Sequence, residues 1–244
     1  MTKEQMEKLE GIRESIDELL DEGDGAAMWA APKRSVFRMS LATVQKMIRA
    51  RLGDAFQVGD LIFSQRKAAE AGSICWVVIG KNRDGDNSLT LWGVEGFGGM
   101  RFDERSKQYP YGHALWRDCS LRAKLNGEVL EELPPEDAAA IAAVKKYTYA
   151  PNQDGGALIE TEDKLWPLSA CEAGFAPDAD WSEDEGTAYP YFGNDETRQI
   201  GDWFRLRSAY RGYASGAWHV STSGAASYSY ATNAFRPAPA CVIR

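Results

Sequence analysis

Two histidines, His113 and His219, and four cysteines, Cys75, Cys119, Cys171 and Cys241, are the side chains of this 244-residue chain best suited to metal or nucleophilic chemistry. Their spacing offers little. Neither histidine lies in HExxH or HxxxH or beside a cysteine at ligand spacing, and cysteines at least 44 residues apart form no CxxC pair. Disulfide pairings cannot be ranked from sequence, and buried free thiols are expected. His113 and Cys119 make a thiol–imidazole pair only if the fold joins them; a helix-start histidine and a buried thiol are the simpler reading. Asp84, Asp86 and Asn87 lack the spacing and closing Glu of a calcium loop. The glycines of GVEGFGGM do not form GxGxxG before a helix, and neither GxSxG nor GxxxxGK occurs, so they read as loop. The acid run WSEDEG reads as a solvated loop with nothing to position a substrate. No catalytic residue, metal ligand or cofactor is assigned, and the expectation is a protein that is not an enzyme.

Composition agrees with a globular chain. It is 44% hydrophobic and 26% charged, with 28 basic against 36 acidic side chains for a net charge of −8. Length suggests one or two domains. Acidity without Lys/Arg clusters argues against nucleic-acid binding. No run approaches the roughly 18 apolar residues of a membrane span, and MTKEQMEKLEGIRE is charged where a signal peptide is apolar. A cytoplasmic or virion-associated location is therefore expected, without membrane insertion.

The periodicity places the elements. Met6, Leu9, Ile12, Ile16, Leu19 and Leu20 stripe an amphipathic helix over residues 1–22, open to self-association but read first as docked on its own domain. A Gly/Ala-rich joint, Gly23 to Ala31, leads to a second helix near Leu41–Leu52, and the two make a helical appendage over 1–54. From Phe56 onward QVGDLIF, SICWVVIG and SLTLWGV read as strands, the last two joined by a hairpin at Asp84-Gly85. Two helices follow, from Ala114 to Asn126 with Leu115, Leu121 and Leu125 inward, and from Pro134 to Lys145-Lys146. Beyond Tyr147 long loops pinned by aromatic anchors are expected.

The last segment differs from everything before it. Residues 203–244 contain no Asp, Glu, Lys, Gln or Met, while Arg205, Arg207, Arg211, Arg236 and Arg244 give +5 and leave −8 − 5 = −13 upstream. From Ser208 to Phe235, Ser, Ala, Tyr and Gly fill 20 of 28 places. Tyrosine gives a large, rigid contact at low entropy cost, and Ser and Gly adapt around it, the mixture that binding loops converge on. Strand-like Trp203–Leu206 and Ala240–Ile243 flank the segment, and Gly224 suits a hairpin turn.

The run WFRLRSAYRGYASGAWHVSTSGAASYSYATNAFRPAPACVIR resembles the C-terminal variable region of proteins diversified by diversity-generating retroelements. Upstream, VGDLIF with CWVVIG, the run from Trp116 through Asn126, DKLWPLSACEAGF, LRS and FRPA resemble a domain family of unknown function frequent in phage and gut-bacterial proteins, covering roughly residues 55–244. The resemblance implies an α+β, C-type-lectin-like fold, related to formylglycine-generating enzymes, with small antiparallel sheets, two helices and long loops. It also implies a ligand-binding domain over 55–244 with a hypervariable region at about 203–244. In such systems a reverse transcriptase mutates template adenines, mostly in Asn codons, and Lys, Glu, Gln and Met cannot arise from AAC or AAT. The diversified, ligand-contacting positions implied are Tyr213, His219, Ser221, Ser223, Ala225, Ser227, Tyr228, Ser229, Tyr230 and Phe235. Leu206, Arg207, Ser208, Trp218, Gly224, Arg236 and Pro237 are implied scaffold. Alternation of His219, Ser221 and Ser223 would turn them outward and Val220 inward. Arg207 and Arg236 read as internal cross-links before they read as anion grips. The implied partner is a protein or glycan receptor on a cell surface. The alternatives are a phage tail structural or adhesion component with a fixed tip, and an enzyme of the formylglycine-generating fold. The cysteines match no reactive pair of that enzyme, and the EPN, QPD and WND motifs of calcium-dependent sugar binding are absent.

Overall fold

The strands expected on either side of Asp84-Gly85 pair across that turn, in a computed structural model that describes residues 34–244. The expected helix over 1–22 and its Gly23–Ala31 joint lie outside the described residues. In chain order the elements begin β1 (Val36–Arg38), α1 (Leu41–Arg49), β2 (Leu61–Gln65), β3 (Ser73–Lys81), β4 (Leu89–Glu95), β5 (Met100–Arg101) and α2 (Ser120–Lys124). They continue with α3 (Pro135–Ala140), β6 (Ile141–Ala142), β7 (Val144–Tyr149), β8 (Leu158–Asp163) and β9 (Trp166–Pro167). The last five are β10 (Phe204–Ala209), β11 (Gly216–Val220), β12 (Ala226–Tyr230), β13 (Ala234–Phe235) and β14 (Pro239–Ile243). This is an α+β architecture of small sheets and few helices.

The main sheet runs β1-β2-β3-β4-β14-β6, with β9 also on β14. β14 carries β4 on one edge and both β6 and β9 on the other. It is buried at all five positions, so its sequence, PACVI, needs no polar alternation. Trp92 from β4 meets Phe192 and Phe204 edge-on, and its indole N–H donates to the Ala238 carbonyl at 2.9 Å. A compact unit extends from Phe37 to Arg244. The helix that the sequence assigned to an appendage ending at residue 54 belongs to this unit as α1. Its Leu41, Val44 and Ile48 are buried in the core, because an apolar stripe has to be covered. Ser40 caps α1 by accepting from the Thr43 N–H at 3.1 Å.

Leu115, Leu121 and Leu125 are buried as their spacing predicts, in a short turn at Trp116–Asp118, α2, and one π turn over Leu125–Val129. The next helix stops at Ala140 and does not reach Lys145-Lys146. From Val144 the chain alternates buried and exposed along β7 and pairs with β8 over six residues. Cross-strand pairing overrides helix propensity there, and Lys146 faces inward. The β7–β8 hairpin is more regular structure than the sequence suggested beyond Tyr147. The stretch that follows is held as expected by buried aromatics, among them Trp181, Tyr189, Tyr191 and Phe192.

Candidate ligand-binding surface

The alternating halves around Gly224 form the hairpin β11–β12, which joins β10 in a three-stranded sheet. Ser221 N–H donates to the Ala225 carbonyl at 2.9 Å and Gly224 N–H to the Ser221 carbonyl at 3.0 Å. Gly224 has φ +84°, and a Cβ there would lie 2.3 Å from the Asp195 carbonyl oxygen, so only glycine fits. The tip is fastened from outside. Arg198 Nε donates to the Gly224 carbonyl at 3.0 Å and Gln199 Nε2 to the Ser223 carbonyl at 3.2 Å.

Directly paired residues share a face, so Trp218 and Tyr228 lie together, with Tyr230 two residues along β12 on the same side. Tyr228, Tyr230 and Tyr213 are 50%, 44% and 42% exposed. Tyr228 stacks on Tyr210 at 4.1 Å, while Tyr230 stacks on Tyr111 at 4.4 Å and meets Tyr213 edge-on at 6.3 Å. Three separate chain segments supply these rings. Backbone bonds lock them: Thr232 N–H to the Tyr111 carbonyl at 3.2 Å, Ala231 to Ser215 at 2.8 Å and Ala114 to Ala214 at 2.7 Å. Trp218 is half-buried and packs edge-on against Trp181 at 4.6 Å. Tyr111 and Tyr210 were not among the flagged positions. Tyr210 lay within the tyrosine-rich stretch, whereas Tyr111, about a hundred residues upstream, carried no local signal.

Ser227 and Ser229 face the other side, as does His219 opposite Ser227. His219 overturns an expectation. It is 1% exposed, with Trp203 stacked at 4.9 Å and Phe235 at 4.7 Å. Burial, reinforced by the neighbouring Arg205 guanidinium, pushes its imidazole down to about 4. Val220 is buried as expected, yet the outward alternation fails at His219 because the Trp203 and Phe235 rings close over that face. Ser223, Ala225 and Ser227 are exposed, and Ser221, Ser229 and Phe235 are half-buried. The ten flagged positions thus divide between two faces and the hairpin tip.

Three arginines mount this sheet. Arg205, wholly buried, donates to the carbonyls of Ala217 at 3.0 Å, Tyr230 at 3.4 Å and Asn233 at 2.7 Å, and its guanidinium lies 4.5 Å from the Phe235 ring centre. Burial pulls its guanidinium down to about 9. Arg207, also buried, donates to Thr148 Oγ1 at 3.1 Å, to the Pro167 carbonyl at 3.2 Å, to Glu172 and to the Glu185 carbonyl. Arg236 donates to the Val94 carbonyl at 2.7 Å and pairs with Asp202 at 3.4 Å. Arg207 and Arg236 are internal cross-links. Leu206, Ser208, Gly224 and Pro237 are buried, while Trp218 and Arg236 are half-buried.

The fold does not join His113 to Cys119. His113 Nε2 lies 2.7 Å from Asp154 Oδ2 and the ring stacks on Tyr109 at 4.0 Å. Cys119 is buried, accepts from the Arg122 N–H at 3.4 Å, and has its thiol pushed far up by burial. The run WSEDEG is not wholly solvated: Glu185 is buried, accepting from the Tyr149 N–H at 2.9 Å and the Ser208 hydroxyl at 2.6 Å. Burial raises its carboxyl to about 7. Among the described residues no three His, Cys, Asp or Glu side chains are placed to hold a metal, and no helix is long and apolar enough to cross a membrane.

No curated protein and no solved structure matches the chain. Residues 88–244 match DUF6273, a domain of unknown function. That segment contains β4, β14 and the whole tyrosine-bearing sheet, and by this match over well more than half its length the chain belongs to the DUF6273 family.

Proposed function

We propose that this protein is a ligand- or receptor-binding protein whose β10–β12 sheet displays an exchangeable contact surface diversified by a retroelement. One observation carries the reading: Tyr213, Tyr228 and Tyr230 are exposed on backbone that buried arginines and inter-segment hydrogen bonds hold rigid. A preordered aromatic surface loses little entropy on binding. The C-type-lectin-like assignment is part of the proposal, supported by a C-terminal strand at the centre of the main sheet and by long aromatic-pinned loops. The partner is a protein or glycan on a cell surface, and the arrangement asks for no cofactor. His219 is left out of the contact set because it is covered.

Sequencing the final codons across sibling genes, with the adjoining DNA, tests this. The expected result is AAC-derived substitution at Tyr213, Ser221, Ser223, Ala225, Ser227, Tyr228, Ser229, Tyr230 and Phe235, constancy at Leu206, Arg207 and Gly224, and a near-copy template beside a reverse-transcriptase gene. Variation spread through the upstream sheet overturns the proposal. Invariance at the tyrosines with no template favours the fixed adhesive tip.

A further inference from the structure

Lys146, Asp84 and Glu172 meet in the interior, away from the tyrosine surface. Asp84 comes from the turn between β3 and β4, Lys146 from the inward side of β7, and Glu172 from the turn after β9. Lys146 Nζ lies 2.9 Å from Asp84 Oδ1 and 3.1 Å from Glu172 Oε1, with side-chain exposures of 6%, 15% and 3% respectively. The other Asp84 oxygen, Oδ2, accepts from the Thr90 hydroxyl at 2.7 Å and the Tyr189 hydroxyl at 2.8 Å. The Trp166 ring centre is 4.2 Å from the ammonium. The amine thus faces two carboxylates, Glu172 being shared with Arg207, while two hydroxyls converge on the Asp84 oxygen turned away from it.

We propose that Lys146 and Asp84 become joined by an intramolecular isopeptide bond that the folded chain forms by itself. Nζ attacks Cγ of Asp84; the Nζ–Cγ bond forms and the Cγ–Oδ1 bond breaks. Glu172 takes a proton from the ammonium to free the nucleophilic lone pair and delivers it to Oδ1. A second proton from nitrogen follows, and Oδ1 leaves as water. Ammonium plus carboxylate become a neutral amide plus water, so no oxidant, activator or external proton is required. The Thr90 and Tyr189 hydroxyls stabilise the negative charge that Oδ2 gains in the tetrahedral intermediate. Burial opposes ionisation of Glu172, but Arg207 and Lys146 outweigh it and hold the carboxyl below the usual range, so it is ionised and has a lone pair open to a proton. A polar cavity of about 290 Å³, lined in part by Asp84, Lys146, Glu172 and Tyr189, gives the water an exit. The apolar Trp166 face shields the finished amide. The bond would tie the β3–β4 turn to β7 across 62 residues of sequence.

Intact mass of the full chain under denaturing conditions is the test. The folded wild-type protein should weigh one water less than its sequence, and digestion should yield linked peptides containing Lys146 and Asp84. Glu172→Gln and Lys146→Arg should each restore the full mass while keeping a native circular dichroism spectrum. Asp84-Gly85 can also lose water by succinimide formation, which needs no lysine. A water loss that persists in Lys146→Arg without a linked peptide overturns the proposal, as does an undiminished mass in folded wild-type protein after prolonged incubation.

Discussion

His219 and Glu185 hold opposite proton preferences inside one domain, and each makes stability depend on pH in its own direction. His219 falls from its ordinary 6.5 to about 4, so between these values the unfolded chain binds a proton that the folded one refuses, and acidification destabilises. Glu185 rises from 4.5 to about 7, so over that interval the folded chain holds the extra proton, and stability is lost as pH rises. Each shift corresponds to up to roughly 3 kcal/mol at about 1.4 kcal/mol per pKa unit. The two oppose each other between pH 4.5 and 6.5. Urea unfolding of Glu185→Gln across that window should show stability falling on acidification more steeply than in the wild type, and His219→Gln should show the reverse. Slopes identical to the wild type in both variants would mean that neither group is as secluded as described. At the surface, Tyr228→Ala and Tyr230→Ala each remove a half-exposed ring and one stacked pair, worth about 0.5–1.5 kcal/mol. Thermal melting should therefore shift by only a few degrees while ligand capture is abolished; a collapse in melting temperature would place these rings in the core.

The β11–β12 hairpin depends on its fastenings more than on its own sequence. Gly224→Ala forces a Cβ to 2.3 Å from the Asp195 carbonyl at a positive φ. It should cost more than about 2 kcal/mol of unfolding free energy by denaturant titration, whereas Ser223→Ala at the exposed tip should stay within about 0.5 kcal/mol. Arg205→Met removes the donor shared by the Ala217, Tyr230 and Asn233 carbonyls, and the Ala217 carbonyl loses it in a buried setting. The expected loss is about 3–5 kcal/mol. Hydrogen exchange should show the β12 amides opening first in that variant. Protection unchanged across β12 would mean that the edge strand is held by other contacts.

For the whole molecule the decisive element is β14, the strand between β4 on one side and β6 and β9 on the other. Deleting Pro237–Arg244 exposes the edges of three strands and opens the core around Trp92, whose indole loses its Ala238 acceptor. The shortened chain should lose its near-UV dichroism and cooperative melting; a sharp transition would show that the sheet closes without its last strand. In chain order the tyrosine-bearing strands β10–β12 come just before this strand. Their position is thus coupled to folding of the main sheet, which suits the exchangeable contact surface we propose.

Much of this was legible in the residues. Leu41, Val44 and Ile48 at helical spacing, the strands around Asp84-Gly85, the buried Leu115, Leu121 and Leu125 in and around α2 and the glycine that turns β11 into β12 all follow from local periodicity and backbone sterics, which need only neighbours in sequence. The tyrosine-rich stretch was visible as composition, and Tyr213, Tyr228 and Tyr230 are indeed exposed. What stayed hidden depends on contacts between distant segments. Trp203 and Phe235 close over His219, β8 draws Lys145-Lys146 out of a helix, Glu185 is carried inside by Ser208, and Tyr111 reaches Tyr230 from another part of the chain. Local pattern sets which backbone shapes are cheap; burial and pairing across the fold decide which side chains meet water, and only the tertiary structure contains those.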